Sequence, residues 1–267
     1  MTDSRFSHLL DEVLAGYQRN PIDLLDRNDG AGEWAYLVNA RRSYARTIAD
    51  ILDLFQGRPF DEIRILEIGA YLGVVSRVLA RLGFRVTALD IPEFMANPRL
   101  AMAYSGDGID MLSVNLEKGR IEVADHSFDC VIACETFEHF NFNPVPALRE
   151  VGRILKPDAF FYLSLPNLAS AHNRVSLLLG RSIHNAVDDF FAQADGRGNM
   201  LVGIHWREYT MGEAVQLLEG CGFVVRRRYF FTPHSPRWLA RILYRLFPSL
   251  RENLTVIAVR RGRGTAQ

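Results

Sequence analysis

Ile65-Leu66-Glu67-Ile68-Gly69-Ala70-Tyr71-Leu72-Gly73 is an apolar run that breaks into glycines, and Val86-Thr87-Ala88-Leu89-Asp90 follows it. A buried parallel strand that ends in glycine lets backbone approach a ligand closely. A carboxylate closing the next strand can accept both hydroxyls of a ribose. The pair points to an adenosine-type cofactor.

Working outward from this stretch, apolar strands alternate with helices. The sequence predicts strands over 63–68, 84–89, 111–114, 128–133 and 160–165, with helices over 74–82 and 146–155, the latter ahead of Pro157. Val74, Val75, Val78, Leu79 and Leu82 share one face of the first of these helices, opposite Arg77 and Arg81, and Gly83 ends it. A helix over 211–219 and strands over 223–230 and 254–259 follow. Such alternation implies right-handed crossovers and a parallel sheet covered on both faces. The fold class is doubly wound α/β.

Residues 1–60 read as a helical lid or substrate region: Ala35, Leu37, Val38, Tyr44, Ile48, Ile51 and Leu52 recur at helical spacing until Gly57 and Pro59. Residues 61–262 form the main domain. Within it, periodicity loosens over 168–203, where Gly180 and the Gly196-Arg197-Gly198-Asn199 run break any long element; a mobile lid is favoured over an inserted cap. Residues 263–267 read as a tail.

The 267 residues are 48% hydrophobic, enough for one substantial core. Lys+Arg and Asp+Glu total 31 each, so nucleic acid is not an expected partner. The C-terminal part is locally basic, with ten arginines from Arg226 to Arg263 and only Glu252 as an acid. Cys130, Cys134 and Cys221 are odd in number and lack zinc-site spacing, so they read as reduced core residues, and no metal ligands are assigned. With no signal segment and no run of eighteen apolar residues, a soluble cytoplasmic protein is expected.

Glu67, Gly69, Asp90, Asn115, Cys134 and Glu135 all fall at strand ends, where open α/β sheets bind ligands. Here the chain resembles class I S-adenosylmethionine-dependent methyltransferases, in the branch that carries a Glu-His pair. Residues 66–73 resemble that family's first motif, Asp90 the acid ending its second strand, and Asn115-Leu116 its adenine-contacting loop. Phe128-Asp129-Cys130-Val131-Ile132-Ala133-Cys134-Glu135 resembles its fourth strand, Glu138-His139 its Glu-His pair, and Leu155-Lys156-Pro157 the approach to its fifth.

The resemblance implies a Rossmann-like, mainly parallel seven-stranded sheet with an antiparallel last strand, and S-adenosyl-L-methionine as cofactor. By position, Gly69 and Gly73 would admit the methionine portion, with Ala70 and Tyr71 in the same loop. Glu67 would order that loop, Asp90 hold the ribose beside Ile91, Asn115 and Leu116 flank adenine, and Glu135 orient substrate or the cofactor's amino group. Tyr71 departs from the family's middle glycine, Asn115 from its aspartate, and Asp158 from a turn glycine that left-handed tolerance makes easy to replace.

Methyl transfer to oxygen wants a base near neutral pKa, which nominates His139 and His205 as catalytic residues. A helix-start histidine that merely shapes the loop is the other reading of His139, and dipole compensation the other reading of Glu135. His172, His184 and His234 read as solvated loop histidines. The expected acceptor is a small molecule or a glycan- or lipid-linked group, methylated on oxygen. Residues 237–247 place arginines four apart among apolar residues; packing over the sheet is favoured, with peripheral membrane contact as the alternative. Arg226-Arg227-Arg228 reads as an exposed strand face. Two rival functions stay open: a nicotinamide-dependent oxidoreductase, against which the loop lacks three-glycine spacing, and a non-catalytic binding module in which Tyr71 obstructs the cofactor.

Overall fold

A computed structural model describes residues 5–24, 31–194, 204–234 and 238–261. Its helices and strands in chain order begin with α1 (Ser7–Arg19), α2 (Ala31–Leu54), β1 (Arg64–Ile68), α3 (Val74–Arg81) and β2 (Arg85–Asp90). Next come α4 (Pro92–Met95), α5 (Pro98–Gly106), β3 (Asp110–Ser113), β4 (Phe128–Cys134), α6 (Val145–Ile154) and β5 (Leu155–Pro166). The chain continues through α7 (Ala171–Leu178), α8 (Val187–Ala194), α9 (Met211–Gly220), β6 (Phe223–Phe231), α10 (Trp238–Leu246) and β7 (Asn253–Arg260).

Among the described residues the strands form a seven-stranded sheet in the order β3-β2-β1-β4-β5-β7-β6. β1 pairs parallel with β2, setting Glu67 opposite Ala88, and β2 pairs parallel with β3, setting Asp90 opposite Ser113. β7 runs antiparallel to both β5 and β6. This is the expected Rossmann-like seven-stranded sheet with its antiparallel last strand.

By contacts the chain divides into two compact units, Met1–Ile132 with Arg153–Ala159, and Ala133–Gly152 with Phe160–Gln267. In the first, β1 carries apolar side chains on both faces because both are covered: Ile65, Leu66 and Ile68 are all buried. α3 turns Val74, Val75, Val78 and Leu79 inward, each such side chain contributing about 1.5–3 kcal/mol of burial. On its other side Arg77 and Arg81 bind Asp107, at 2.5 and 2.8 Å. α1 and α2 pack on α3. Buried Asp129 accepts Lys156 Nζ at 2.6 Å and the Arg64 N–H at 3.1 Å, joining β4 to the starts of β5 and β1.

In the second unit, α9 packs on β6 and β7. Its start is fixed by a capping box in which Thr210 and Glu213 satisfy each other's backbone N–H.

Several local expectations differ from what forms. The 168–203 stretch is not featureless: α7 is capped by Ser170, whose hydroxyl accepts the Asn173 N–H, and α8 follows, so their short lengths rather than a lack of helix hid them. Residues 195–203 and the 263–267 tail lie outside the described residues. The sheet-covering reading of 237–247 does not hold for α10: none of its residues is buried, and Trp238 and Leu246 are 68% and 67% exposed. Only Cys130 is a core cysteine, Cys134 and Cys221 being half-buried. Arg226, Arg227 and Arg228 are all exposed, as the sequence reading has them, and a bulge interrupts β6 between Val225 and Arg227. Asp158 does adopt the left-handed turn, at φ 60°.

Candidate functional site

The first unit holds the glycine-broken loop. Gly69 (φ 69°), Tyr71 (φ 51°) and Gly73 (φ 62°) all have left-handed backbone. The loop is tied back to β2 where the Leu89 carbonyl accepts the Gly69 N–H at 2.9 Å and the Ala70 N–H at 3.2 Å. A non-glycine residue in the left-handed region costs roughly 1–2 kcal/mol, and Tyr71 is held there from both sides. Its N–H donates to Asp90 Oδ2 at 2.7 Å and its carbonyl accepts the Tyr104 hydroxyl at 2.9 Å. The Tyr71 ring lies edge-on to Tyr36 and Phe94, with centroids 5.9 and 5.5 Å away. The next carbonyl, Leu72, accepts the hydroxyl of Tyr17 from α1.

Asp90 closes β2 and is nearly buried. Its Oδ2 takes the Tyr71 N–H and its Oδ1 the Ile91 N–H at 2.7 Å, leaving lone-pair capacity on each oxygen. Burial pushes its pKa up to about 6 against the pull of those two N–H groups, with Glu93 adding to the rise. Glu67 is buried on β1 and accepts both the N–H and the hydroxyl of Ser76, which anchors the first turn of α3. Burial raises Glu67 to about 7, opposed by the Ser76 bonds. Asn115 builds a turn: its side-chain oxygen accepts the Glu117 N–H at 3.0 Å and its carbonyl the N–H groups of Lys118 and Gly119. Leu116 beside it is nearly buried.

The second unit holds the histidines. Glu135 leaves β4 with φ 50°, its N–H bound to the Ser164 carbonyl and its carboxylate accepting Asn253 Nδ2 at 2.8 Å. A 3-10 turn, Phe137–His139, follows. The Glu138 carbonyl accepts the Trp206 N–H at 2.7 Å, and His139 Nδ1 meets the Ile204 carbonyl at 2.9 Å, so this turn is laced to the segment carrying His205. The two imidazoles meet edge to face with centroids 5.0 Å apart.

His205 Nδ1 lies 3.1 Å from Glu208 Oε1, and Glu208 Oε2 accepts Asn173 Nδ2 at 2.8 Å. Burial alone would raise Glu208, but the bonds from His205 and Asn173 outweigh it and hold the carboxyl below its usual range. Burial, and next the neighbouring His205, push His139 down to about 4, so its ring is neutral near pH 7. Glu138 is fully buried, and among the described residues neither of its carboxylate oxygens has a hydrogen-bond partner. Its pKa is driven well above the usual range by burial, then by the charges of Glu135 and Glu208. Glu138, His139 and His205 each offer a ligand atom within 4.8 Å of the others.

Of the residues expected from sequence, Glu67, Gly69, Ala70, Tyr71, Gly73, Asp90 and Ile91 thus cluster in the first unit, and His139 and His205 meet in the second. Sequence reading left out Tyr17, Tyr104, Asn173 and Glu208. Tyr104 and Tyr17 reach the loop from distant helices and carry no local signature. Glu208 stands three residues after His205, a spacing that is itself a signal for an imidazole–carboxylate pair.

A family described as a methyltransferase domain matches residues 38–241. The ubiquinone biosynthesis O-methyltransferase of Xanthomonas axonopodis pv. citri is 36% identical over 109 residues, 40% of this chain and 45% of that protein. The protein of the same name from Methylocella silvestris is 31% identical over 134 residues, 50% of this chain and 51% of that one. The chain therefore spans about half the length of the curated relatives it matches. Among solved structures, a Burkholderia thailandensis 1,6-didemethyltoxoflavin-N1-methyltransferase with bound S-adenosylhomocysteine superposes with a TM-score of 0.56 at 17% identity, covering 95% of this chain and 88% of that one. The magnesium protoporphyrin IX methyltransferase of Synechocystis does so with a TM-score of 0.56 at 13% identity, covering 97% of each chain.

Proposed function

The chain belongs to the methyltransferase-domain family, and from that premise we propose that it transfers a methyl group from S-adenosylmethionine to the oxygen of a small-molecule acceptor. One observation carries the cofactor assignment: a nearly buried carboxylate, Asp90, spends one lone pair per oxygen on the loop and keeps capacity for a vicinal pair of hydroxyls. A ribose presents such a pair, so the residues fit the group. When bound, S-adenosylmethionine supplies an electrophilic methyl carbon on a sulfonium.

The protein's own groups supply alignment. Asp90 holds the ribose hydroxyls, and the left-handed turns at Gly69 and Gly73 keep the loop backbone open to the methionine portion. Ala70 and Ile91 flank them, Asn115 and Leu116 border the base, and Glu67 acts through Ser76 by fixing the start of α3. Tyr71 keeps its ring against Tyr36 and Phe94, which favours a working cofactor site over an obstructed one. At the acceptor end, the Nδ1 contacts to Glu208 and Ile204 leave Nε2 as the lone-pair nitrogen of His205 and His139. His205, backed by the Glu208 carboxylate, accepts the hydroxyl proton as the oxygen attacks, His139, its pKa held down to about 4 chiefly by burial, positions it, and Glu135, tied to Asn253, orients the substrate.

The names of the curated relatives, which describe O-methylation in ubiquinone biosynthesis, support the small-molecule acceptor. A lipid-linked acceptor is favoured over a glycan because α10 exposes Trp238, Leu239, Ile242 and Leu246 in a region rich in arginine, a surface suited to an anionic lipid interface. Of the expected 168–203 lid, the described part, 168–194, supports the reading: Asn173 and Asn185 bind Glu208 and the His205 N–H, so the position of this stretch sets the histidine pair.

The deciding experiment is calorimetric titration with S-adenosylhomocysteine and, separately, NAD. Binding of the first alone is expected. Binding of NAD alone would favour an oxidoreductase, and binding of neither a degenerate module.

A further inference from the structure

The second unit contains a carboxylate that has no business being buried. Glu138 is 0% exposed and neither oxygen is hydrogen-bonded among the described residues, although a buried polar group without a partner costs on the order of 1–3 kcal/mol. It sits within 4.8 Å of a ligating atom on each of two imidazoles, those of His139 and His205.

Both rings are prepared in the manner of metal-bound histidines. His139 Nδ1 is held by the Ile204 carbonyl at 2.9 Å and His205 Nδ1 by the Glu208 carboxylate at 3.1 Å. An acceptor on Nδ1 fixes the proton there and leaves the Nε2 lone pair for a ligand. The outer layer continues, since Glu208 is itself held by Asn173, a nearly buried residue that also donates to the Leu168 carbonyl at 3.1 Å. A carbonyl behind one histidine and a hydrogen-bonded carboxylate behind the other are the supports that metal ligands need to keep their orientation.

We propose that Glu138, His139 and His205 form a three-donor site for a divalent transition-metal cation. Two imidazoles and a carboxylate suit zinc, iron(II), manganese or cobalt and are poorly matched to calcium or magnesium, which prefer oxygen donors alone. Three protein donors leave coordination positions open, as in reactive rather than structural sites, so the cation can take an oxygen of a small molecule; with both Nε2 lone pairs on the cation, binding to it would acidify that oxygen in place of proton transfer to an imidazole. The site lies wholly within the second unit and does not depend on the cofactor assignment to the first.

The test is titration of chelator-stripped full chain with zinc, followed calorimetrically, and with cobalt, followed by visible absorption. One saturable cation per chain is expected, with a cobalt spectrum lacking thiolate bands. His205→Ala and the isosteric Glu138→Gln should each weaken binding by more than the roughly 10–100-fold loss expected when an outer-shell partner is removed, as in Glu208→Gln. Should Glu138→Gln fail to fold, His205→Ala and Glu208→Gln decide the matter, with circular dichroism confirming that both remain native. Absence of saturable binding, unchanged affinity in these variants, or a thiolate-to-cobalt band from Cys134 or Cys221 would each overturn the site. Titration of the same samples with S-adenosylhomocysteine reads the cofactor assignment separately.

Discussion

The carboxylate of Asp90 accepts the backbone N–H of Tyr71 at 2.7 Å, so the residue that closes β2 also fixes the left-handed turn that follows β1. One side chain therefore sets both the ligand-facing acid and the loop conformation around it. The consequences can be measured apart.

On the proposed assignment, Asp90→Ala removes a charge-assisted pair of bonds to the ribose and should weaken S-adenosylhomocysteine binding by roughly a hundredfold, about 2–3 kcal/mol. Calorimetry is the readout. Unchanged affinity would remove Asp90 from the cofactor site.

Asp90 and Glu67 have native pKa values raised to about 6 and about 7, chiefly by burial. The fold thus disfavours their charged forms: the penalty is absent below the ordinary carboxylate range and complete above about pH 7. Their contribution to stability falls as pH rises through that window. Cofactor affinity should run the other way, increasing through about pH 6 as Asp90 ionises and becomes a better acceptor for hydroxyls. Thermal midpoints of the free protein and dissociation constants across the same pH range test both slopes, and Asp90→Asn should flatten the second.

Gly73→Ala should impair the loop twice over. The residue has φ 62°, and a Cβ there would collide with the ring of buried Tyr104. The backbone cost alone is about 1–2 kcal/mol. Tyr104→Phe, which keeps the ring and loses only the hydroxyl bound to the Tyr71 carbonyl, should cost about 1 kcal/mol in denaturant unfolding. A Gly73→Ala protein as stable as the parent would show that the loop has no fixed conformation.

Asn173→Ala deletes the bond to Glu208 Oε2 and frees the carboxylate that orients His205. Asn173 is a positioning residue, so turnover on a phenolic acceptor should fall several-fold while S-adenosylhomocysteine affinity stays at the parent value. Equal loss of both would mean that the variant damages the fold instead.

Exposed apolar residues on α10 predict co-sedimentation with anionic vesicles and weaker binding to neutral ones. A Trp238→Ser, Leu246→Ser double variant should lose that binding with thermal stability retained, because neither side chain is buried. Equal sedimentation of parent and variant would leave the helix without a lipid role.

The sequence by itself determined the sheet and its ligand-binding ends. Short apolar-rich runs such as 63–68, bounded by glycines and alternating with helical patterns, read as buried strands, and Gly69, Gly73 and Asp90 mark the strand ends, because these are short-range properties of composition and spacing. Where elements lie close in sequence, from Glu67 to Asp90, the strand, the glycine turn and the acid that closes the next strand were legible in order. The tertiary structure alone decided the rest. Tyr104 reaches the Tyr71 carbonyl across 33 residues and His139 reaches the Ile204 carbonyl across 65, separations at which no local periodicity records a contact. It likewise decided that the apolar face of α10 stays exposed, since amphipathic spacing specifies that a face exists but not what covers it. The orphaned carboxylate of Glu138 is visible only once folding has removed its water.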